Sequence, residues 1–113
     1  MLPRASRLTR DSEFKLLFKK GRRAASAHLR LTFLANHQNF SRFGFIVSKK
    51  QASQIVMRNR IKRIMRDAVS RSLKQVHPGF DVIIQGQPNI KTAPPALIRE
   101  ELTQLLRKNK LLS

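Results

Sequence analysis

Between Ser53 and Leu73 the chain reads SQIVMRNRIKRIMRDAVSRSL, with no glycine or proline to interrupt it. At about 100° per residue, Met57, Ile61, Ile64, Met65, Ala68 and Ser72 fall on one side. That is the spacing of a helix that buries a single stripe. Asn59, Arg63, Arg66 and Ser70 fall on the opposite side, and Arg60 and Lys62 flank the stripe. Ser53 is placed to cap the helix, and Pro78-Gly79 ends the region. The rest of the chain must supply an apolar layer for this stripe to lie on.

The polar face of this segment is almost purely cationic, with Asp67 its only acid. Solvated helices ordinarily mix signs, because like charges one turn apart repel. A polyanion would relieve the repulsion, and the planar arginine fork suits phosphate. Asn59 both donates and accepts, so it can read a base edge or a ribose hydroxyl. The alternative is a basic helix that is merely solvated.

Lysine and arginine number 24 against six acids, giving a net charge of +18 and a pI near 12.0. Such a balance favours a polyanionic partner. Nucleic acid comes first. An anionic membrane surface comes second, because the cations are spread over several elements rather than gathered on one apolar-faced anchor. There is no cysteine, no apolar run long enough to span a bilayer, and no signal-peptide pattern at Met1-Leu2-Pro3-Arg4. These features point to a cytoplasmic protein with no membrane partner. The length corresponds to one domain over 1–113, with a basic arm at 1–8 and a basic tail at 107–113.

Taken in order, Thr9 or Asp11 can cap a first helix with acids early (Asp11, Glu13) and Lys19-Lys20 late, stopping at Gly21. Phe14, Leu17 and Phe18 share one face. They serve either as core or, if partly exposed, as a surface on which bases stack. Residues 21–27 read as a basic connection. His28–Ala35 alternates as a strand, with Leu29, Leu31 and Phe33 opposite His28, Arg30 and Thr32. Phe40–Ser48 alternates likewise, and the polar turn 36–39 predicts an antiparallel hairpin. The outer face of that hairpin could floor a groove, where Gly44 leaves room for close approach. Phe80–Gln85 is a short apolar strand buried on both faces. A last helix starts at Pro95 or Ala96 and runs to about Leu106, with Leu97, Ile98, Leu102, Leu105 and Leu106 as its stripe. The fold class is α+β: helix, two strands, long helix, strand, helix.

Catalytic machinery is missing from the pattern. His28, His37 and His77 have no ligand spacing, and the acids Asp11, Glu13, Asp67, Asp81, Glu100 and Glu101 form no carboxylate pair that would hold magnesium. No phosphate loop or nucleophile motif occurs. The chain is equipped to hold RNA rather than cut it, with no catalytic residue and no metal or cofactor bound by the protein alone.

Ser48-Lys49-Lys50, a short spacer, then Arg58-Asn59-Arg60-Ile61-Lys62-Arg63-Ile64-Met65-Arg66 resembles the signature of the bacterial ribonuclease P protein subunit. The resemblance extends from Arg7 to the last helix. It implies an α-β-β-α-β-α sandwich around a small mixed sheet with a left-handed crossover, where the general rule would make it right-handed. It implies an accessory subunit that assists a catalytic RNA in removing the 5′ leader of precursor tRNA, with magnesium in the RNA-containing holoenzyme. Arg58, Asn59, Arg60, Lys62, Arg63, Arg66, Ser48, Lys49 and Lys50 would then bind the RNA subunit. Phe14, Phe18, His28, Arg30 and Thr32 would line the leader groove, and the protein would be monomeric without RNA. Three departures stand out: Thr32 where the family often has an aromatic, Gln85-Gly86-Gln87 where it often has a basic pair, and no glycine between Ser48 and Arg58. A small ribosomal or other structural RNA-binding protein is the second reading.

Overall fold

The computed structural model describes residues 4–49 and 52–113. Lys50 therefore lies outside the described residues, as do the first three residues of the basic arm. The elements are α1 (Asp11–Lys20), β1 (Arg22–Ala25), β2 (Leu29–Ala35), β3 (Arg42–Ile46), α2 (Ile55–Arg71), β4 (Phe80–Gly86) and α3 (Pro95–Lys108). The strands form one mixed sheet in the order β1-β2-β4-β3.

The antiparallel hairpin expected from the turn at 36–39 does not form. Instead β4 lies between β2 and β3, antiparallel to the first and parallel to the second. The physical reason lies in β4 itself. Val82, Ile83 and Ile84 are all fully buried, so this strand needs cover on both faces and takes a central place. The loop between β2 and β3 opens to admit it: Asn36 N–H donates to the Gly79 carbonyl at 2.8 Å, and Gly79 N–H to the Phe40 carbonyl at 3.2 Å. The parallel β3–β4 pair is joined through α2, as a strand–helix–strand crossover requires.

β1 occupies part of the segment read as a connection. It carries no alternating apolar signal, because as an edge strand it is held by backbone pairing with β2 rather than by burial. Gly21, before it, has an extended φ of −72°. A β-carbon there would stand 2.6 Å from the Leu17 carbonyl oxygen and 2.8 Å from Cγ2 of Thr32, so the residue is small because α1 meets β2 at that point.

Side chains alternate across the sheet and divide the core in two. Leu29, Leu31, Phe33, Phe43, Val82 and Ile84 pack with Ile61, Met65, Ala68 and Val69 of α2 and Ile98, Leu102, Leu105 and Leu106 of α3. On the other face Ile83 packs with Leu17 of α1 and with Leu8, joined by half-buried Phe14, Phe18, Leu34 and Ile46. The result is a three-layer sandwich: one helix, a sheet, two helices.

Several boundaries differ from expectation. Arg10 rather than Thr9 or Asp11 precedes α1, with Glu13 reaching back to accept its backbone N–H at 3.3 Å. Gln54 rather than Ser53 precedes α2. Leu97 is exposed rather than part of the buried stripe. Described residues near both termini pack against the body of the fold. Leu8 is buried and its N–H donates to the Phe43 carbonyl at 2.8 Å, extending the β3 edge. Leu111 and Leu112 are buried too, with His77 N–H on the Leu111 carbonyl and Ser113 N–H on the Gln75 carbonyl, each at 2.9 Å. Two adjacent leucines beyond the helix supply the apolar area that folds this end back.

Candidate nucleic-acid interface

Two surfaces carry the candidate residues. The first is the outer face of α2. Its inward stripe is fixed by Ile61, Met65, Ala68 and Val69, so the helical period turns Asn59, Arg60, Arg63 and Arg66 to solvent. Arg58 and Lys62 are half-buried at its margin. Arg58 also holds local structure together. Its Nη1 donates to the carbonyls of Ala52 and Ser53, both at 2.9 Å, tying the incoming loop to the first turn of the helix. Ala52 N–H donates to the Ser48 carbonyl at 3.1 Å, which turns the chain from β3 towards α2. Lys49 is exposed on that turn and Ser48 half-buried. The Arg66 guanidinium lies 5.9 Å from the centre of the Phe45 ring, within cation–π range. Asp67, the helix's one acid, stands one turn beyond Arg63 and pairs with Arg71 at 3.2 Å and Arg99 at 3.5 Å.

The second surface is a cleft of about 520 Å³ beside α1, lined by Phe18, Arg23, Ala24, Ala25, Arg30, Leu31, Thr32 and Gln85. Strand register builds it. Arg23 stands opposite Thr32, Ala25 opposite Arg30, and Arg30 opposite Gln85, so residues from three strands line up on one face of the sheet. Thr32 is buried and forms the floor, whereas Arg30 is exposed. Arg23 Nη2 donates to the Phe18 carbonyl at 2.8 Å, joining β1 to the last turns of α1 at one end of the cleft. No acid is among these lining residues. A half-exposed ring beside arginine and amide donors can stack an unpaired base and hold its phosphate.

The cleft gathers three of the five sequence-chosen groove residues: Phe18, Arg30 and Thr32. Phe14 is not among its lining residues; the ring sits over Gly44, filling the space expected to admit a backbone or base. His28 is held elsewhere, its Nδ1 2.9 Å from Oε2 of Glu101 in α3 and its backbone N–H donating to Oε1 at 2.6 Å. The Ser26 hydroxyl donates to the same carboxylate. Burial opposes the charge on Glu101, but these three donors outweigh it and hold the carboxyl below its ordinary value of 4.5. Gln87 Nε2 donates to the Ser26 carbonyl at 2.6 Å and Asn89 Nδ2 to that of Ala27 at 3.1 Å, so three side chains, those of Glu101, Gln87 and Asn89, hold the β1–β2 turn. Gln87, where a basic residue was the expected pattern, acts here as a structural tie.

Sequence reasoning missed Arg23 and Gln85, which enter the cleft only through the pairing of β1 and the central place of β4. It also missed Phe45, whose contact with Arg66 crosses elements. Arg42 was not singled out either: its Nε and Nη2 reach Asp81 at 2.9 and 2.7 Å and its Nη1 reaches Glu13 at 2.5 Å. Hydrogen bonding to Asp81 raises the Arg42 pKa against the effect of burial. Among the described residues, no three His, Cys, Asp or Glu side chains converge to hold a metal ion, and no helix is long and apolar enough to cross a membrane.

Comparison with known proteins gives a consistent picture. Residues 2–110 match the family model described as Ribonuclease P. The ribonuclease P protein component of Alkaliphilus metalliredigens is 31% identical over 108 residues, covering 96% of each chain. That of Nitrosomonas eutropha is 35% identical over 109 residues, covering 95% of this chain and 89% of the other. The solved RNase P protein of Staphylococcus aureus superposes with a TM-score of 0.90 at 25% identity, covering 97% of this chain and all of that one. That of Thermotoga maritima gives 0.83 at 26% identity, covering 90% and 96%.

Proposed function

The chain belongs to the ribonuclease P protein family, whose members are the protein subunit that works with the ribonuclease P RNA in tRNA 5′ maturation, and from that premise we propose how its two surfaces divide the work. The outer face of α2, with Arg58, Asn59, Arg60, Lys62, Arg63 and Arg66, and the turn carrying Ser48 and Lys49, together with Lys50 next in sequence, grip the RNA subunit. Their charge replaces counterions where RNA backbones approach closely. The cleft beside α1 takes the single-stranded 5′ leader of precursor tRNA, stacking a base on Phe18 while Arg23, Arg30 and Gln85 contact its edge and phosphate. Phe14 and His28 support the cleft from outside it. Mature tRNA lacks the leader, so cleft binding favours substrate over product.

One observation carries this reading: an acid-free cleft with a half-exposed phenylalanine lies across the sheet from a separate cationic helix face. In this reading magnesium and the bond-breaking chemistry reside with the RNA, and the protein is a cytoplasmic monomer until RNA binds it. The test is cleavage of precursor tRNA by a bacterial ribonuclease P RNA at low magnesium, with and without the protein. Cleavage at the mature 5′ end that requires both components is expected. If mature and precursor tRNA compete equally for the assembled complex, the leader assignment of the cleft is wrong.

A further inference from the structure

Ile55 and Val56 open α2 and are the most exposed large apolar side chains among the described residues, at 63% and 75% accessibility. The other apolar residues of the helix, Met57, Ile61, Ile64, Met65, Ala68 and Val69, are all buried or half-buried. The pair does not extend the buried stripe. At about 100° per residue, Ile55 projects with Asn59 and Arg66, and Val56 lies between Arg63 and Arg60. Two apolar side chains thus continue the cationic face to its N-terminal end.

Apolar surface of this kind is unfavourable in water. What covers it must also tolerate the arginines around it. A second copy of this chain, at net charge +18, would bring like charge to like. A nucleic acid meets both conditions, because its phosphates are anionic while its base planes and ribose C–H faces are apolar. We propose that Ile55 and Val56 pack against a base or ribose face of the RNA subunit, providing a part of the contact that does not depend on salt. The inference rests on the assignment of α2 to the RNA subunit. Phosphate contacts release counterions and weaken as salt rises, whereas an apolar contact releases none.

The experiment measures the Kd of the full-length protein for a bacterial ribonuclease P RNA over a range of salt concentrations. It compares wild type, Ile55→Ser/Val56→Ser and Arg63→Ala. Serine has a helix propensity close to that of isoleucine and valine, and both sites are exposed, so the melting temperature should not change. The double variant should bind about ten-fold more weakly, with a salt dependence parallel to wild type. Arg63→Ala should give a shallower slope. If the double variant binds like wild type while Arg63→Ala is weakened, the apolar contact is absent and the helix assignment stands. If neither variant differs from wild type, α2 does not face RNA and both readings fall. A wild-type dimer that the double variant dissolves without change in RNA affinity would assign the pair to a second copy instead.

Discussion

A β-carbon on Gly44 would stand 2.5 Å from Cζ of Phe14 and 2.7 Å from Cε1, so the Phe14 ring rests directly on the backbone of β3. The contact helps to hold α1 against the sheet, and α1 in turn supplies one wall of the cleft. Gly44→Ala should therefore destabilise the protein by about 1–3 kcal/mol, the usual range for overpacking a filled site. Urea unfolding of the variant measures this. Unchanged stability would mean that the ring swings aside freely and contributes little to the seating of α1.

Arg58 and Arg63 stand in one motif but differ in attachment. Arg58 donates to two carbonyls ahead of the helix, and Arg63 is exposed. Arg58→Ala should lower stability by about 1–2 kcal/mol through loss of hydrogen bonds from a charged donor. Arg63→Ala should leave stability unchanged within about 0.5 kcal/mol. Thermal unfolding of the two variants side by side tests the distinction, and equal melting temperatures would remove the structural role from Arg58.

Phe18 is half-buried at the cleft and also touches the cluster beneath α1. Its loss should reduce the preference for precursor over mature tRNA by about 1–3 kcal/mol, the range for one stacked base. Competition binding between precursor and mature tRNA reads this directly. A drop in melting temperature with an unaltered preference would make Phe18 purely a core residue.

Glu101 has a carboxyl held below its ordinary value of 4.5, so the stability it contributes is present above that value and lost as pH falls through its folded-state pKa. Glu101→Gln should be less stable than wild type near neutral pH, with the gap narrowing below about pH 4.5. Denaturation measured from neutral to acid pH traces the gap. A constant difference across the range would show that the loss comes from packing of the β1–β2 turn and not from the charge.

The parts of the fold that were legible in sequence were those with a strong period. The stripe of α2 gave the buried side of that helix, missing only Val69, and the alternation of β2 and β3 sorted their side chains between the two faces of the sheet, both of which are covered. Strand order was not legible in the same way, because a short polar turn between alternating runs predicts a hairpin whether or not another strand is inserted. The clue was β4's burial on both faces, which argues for the centre of a sheet but does not name its neighbours. The site divided along the same line. The α2 face could be read from local spacing, whereas Arg23, Gln85 and Phe45 enter through contacts between segments far apart in sequence. Alternation sets His28 on the side of Arg30 and Thr32 and the family resemblance makes that side the groove, but neither signal includes the Glu101 carboxylate that arrives from α3.

The central place of β4 also sets an order in time. The chain leaves the ribosome with β1, β2 and β3 complete while the strand that joins β2 to β3 is still unmade. Until residues 80–86 emerge, β3 has no neighbouring strand in the sheet and the β2–β3 loop cannot close on Gly79. Sheet formation therefore depends on contacts distant in sequence, which slow folding and leave strand edges open meanwhile. Any fragment ending before β4 should remain unable to assemble the cleft, however much of the RNA-binding motif it contains.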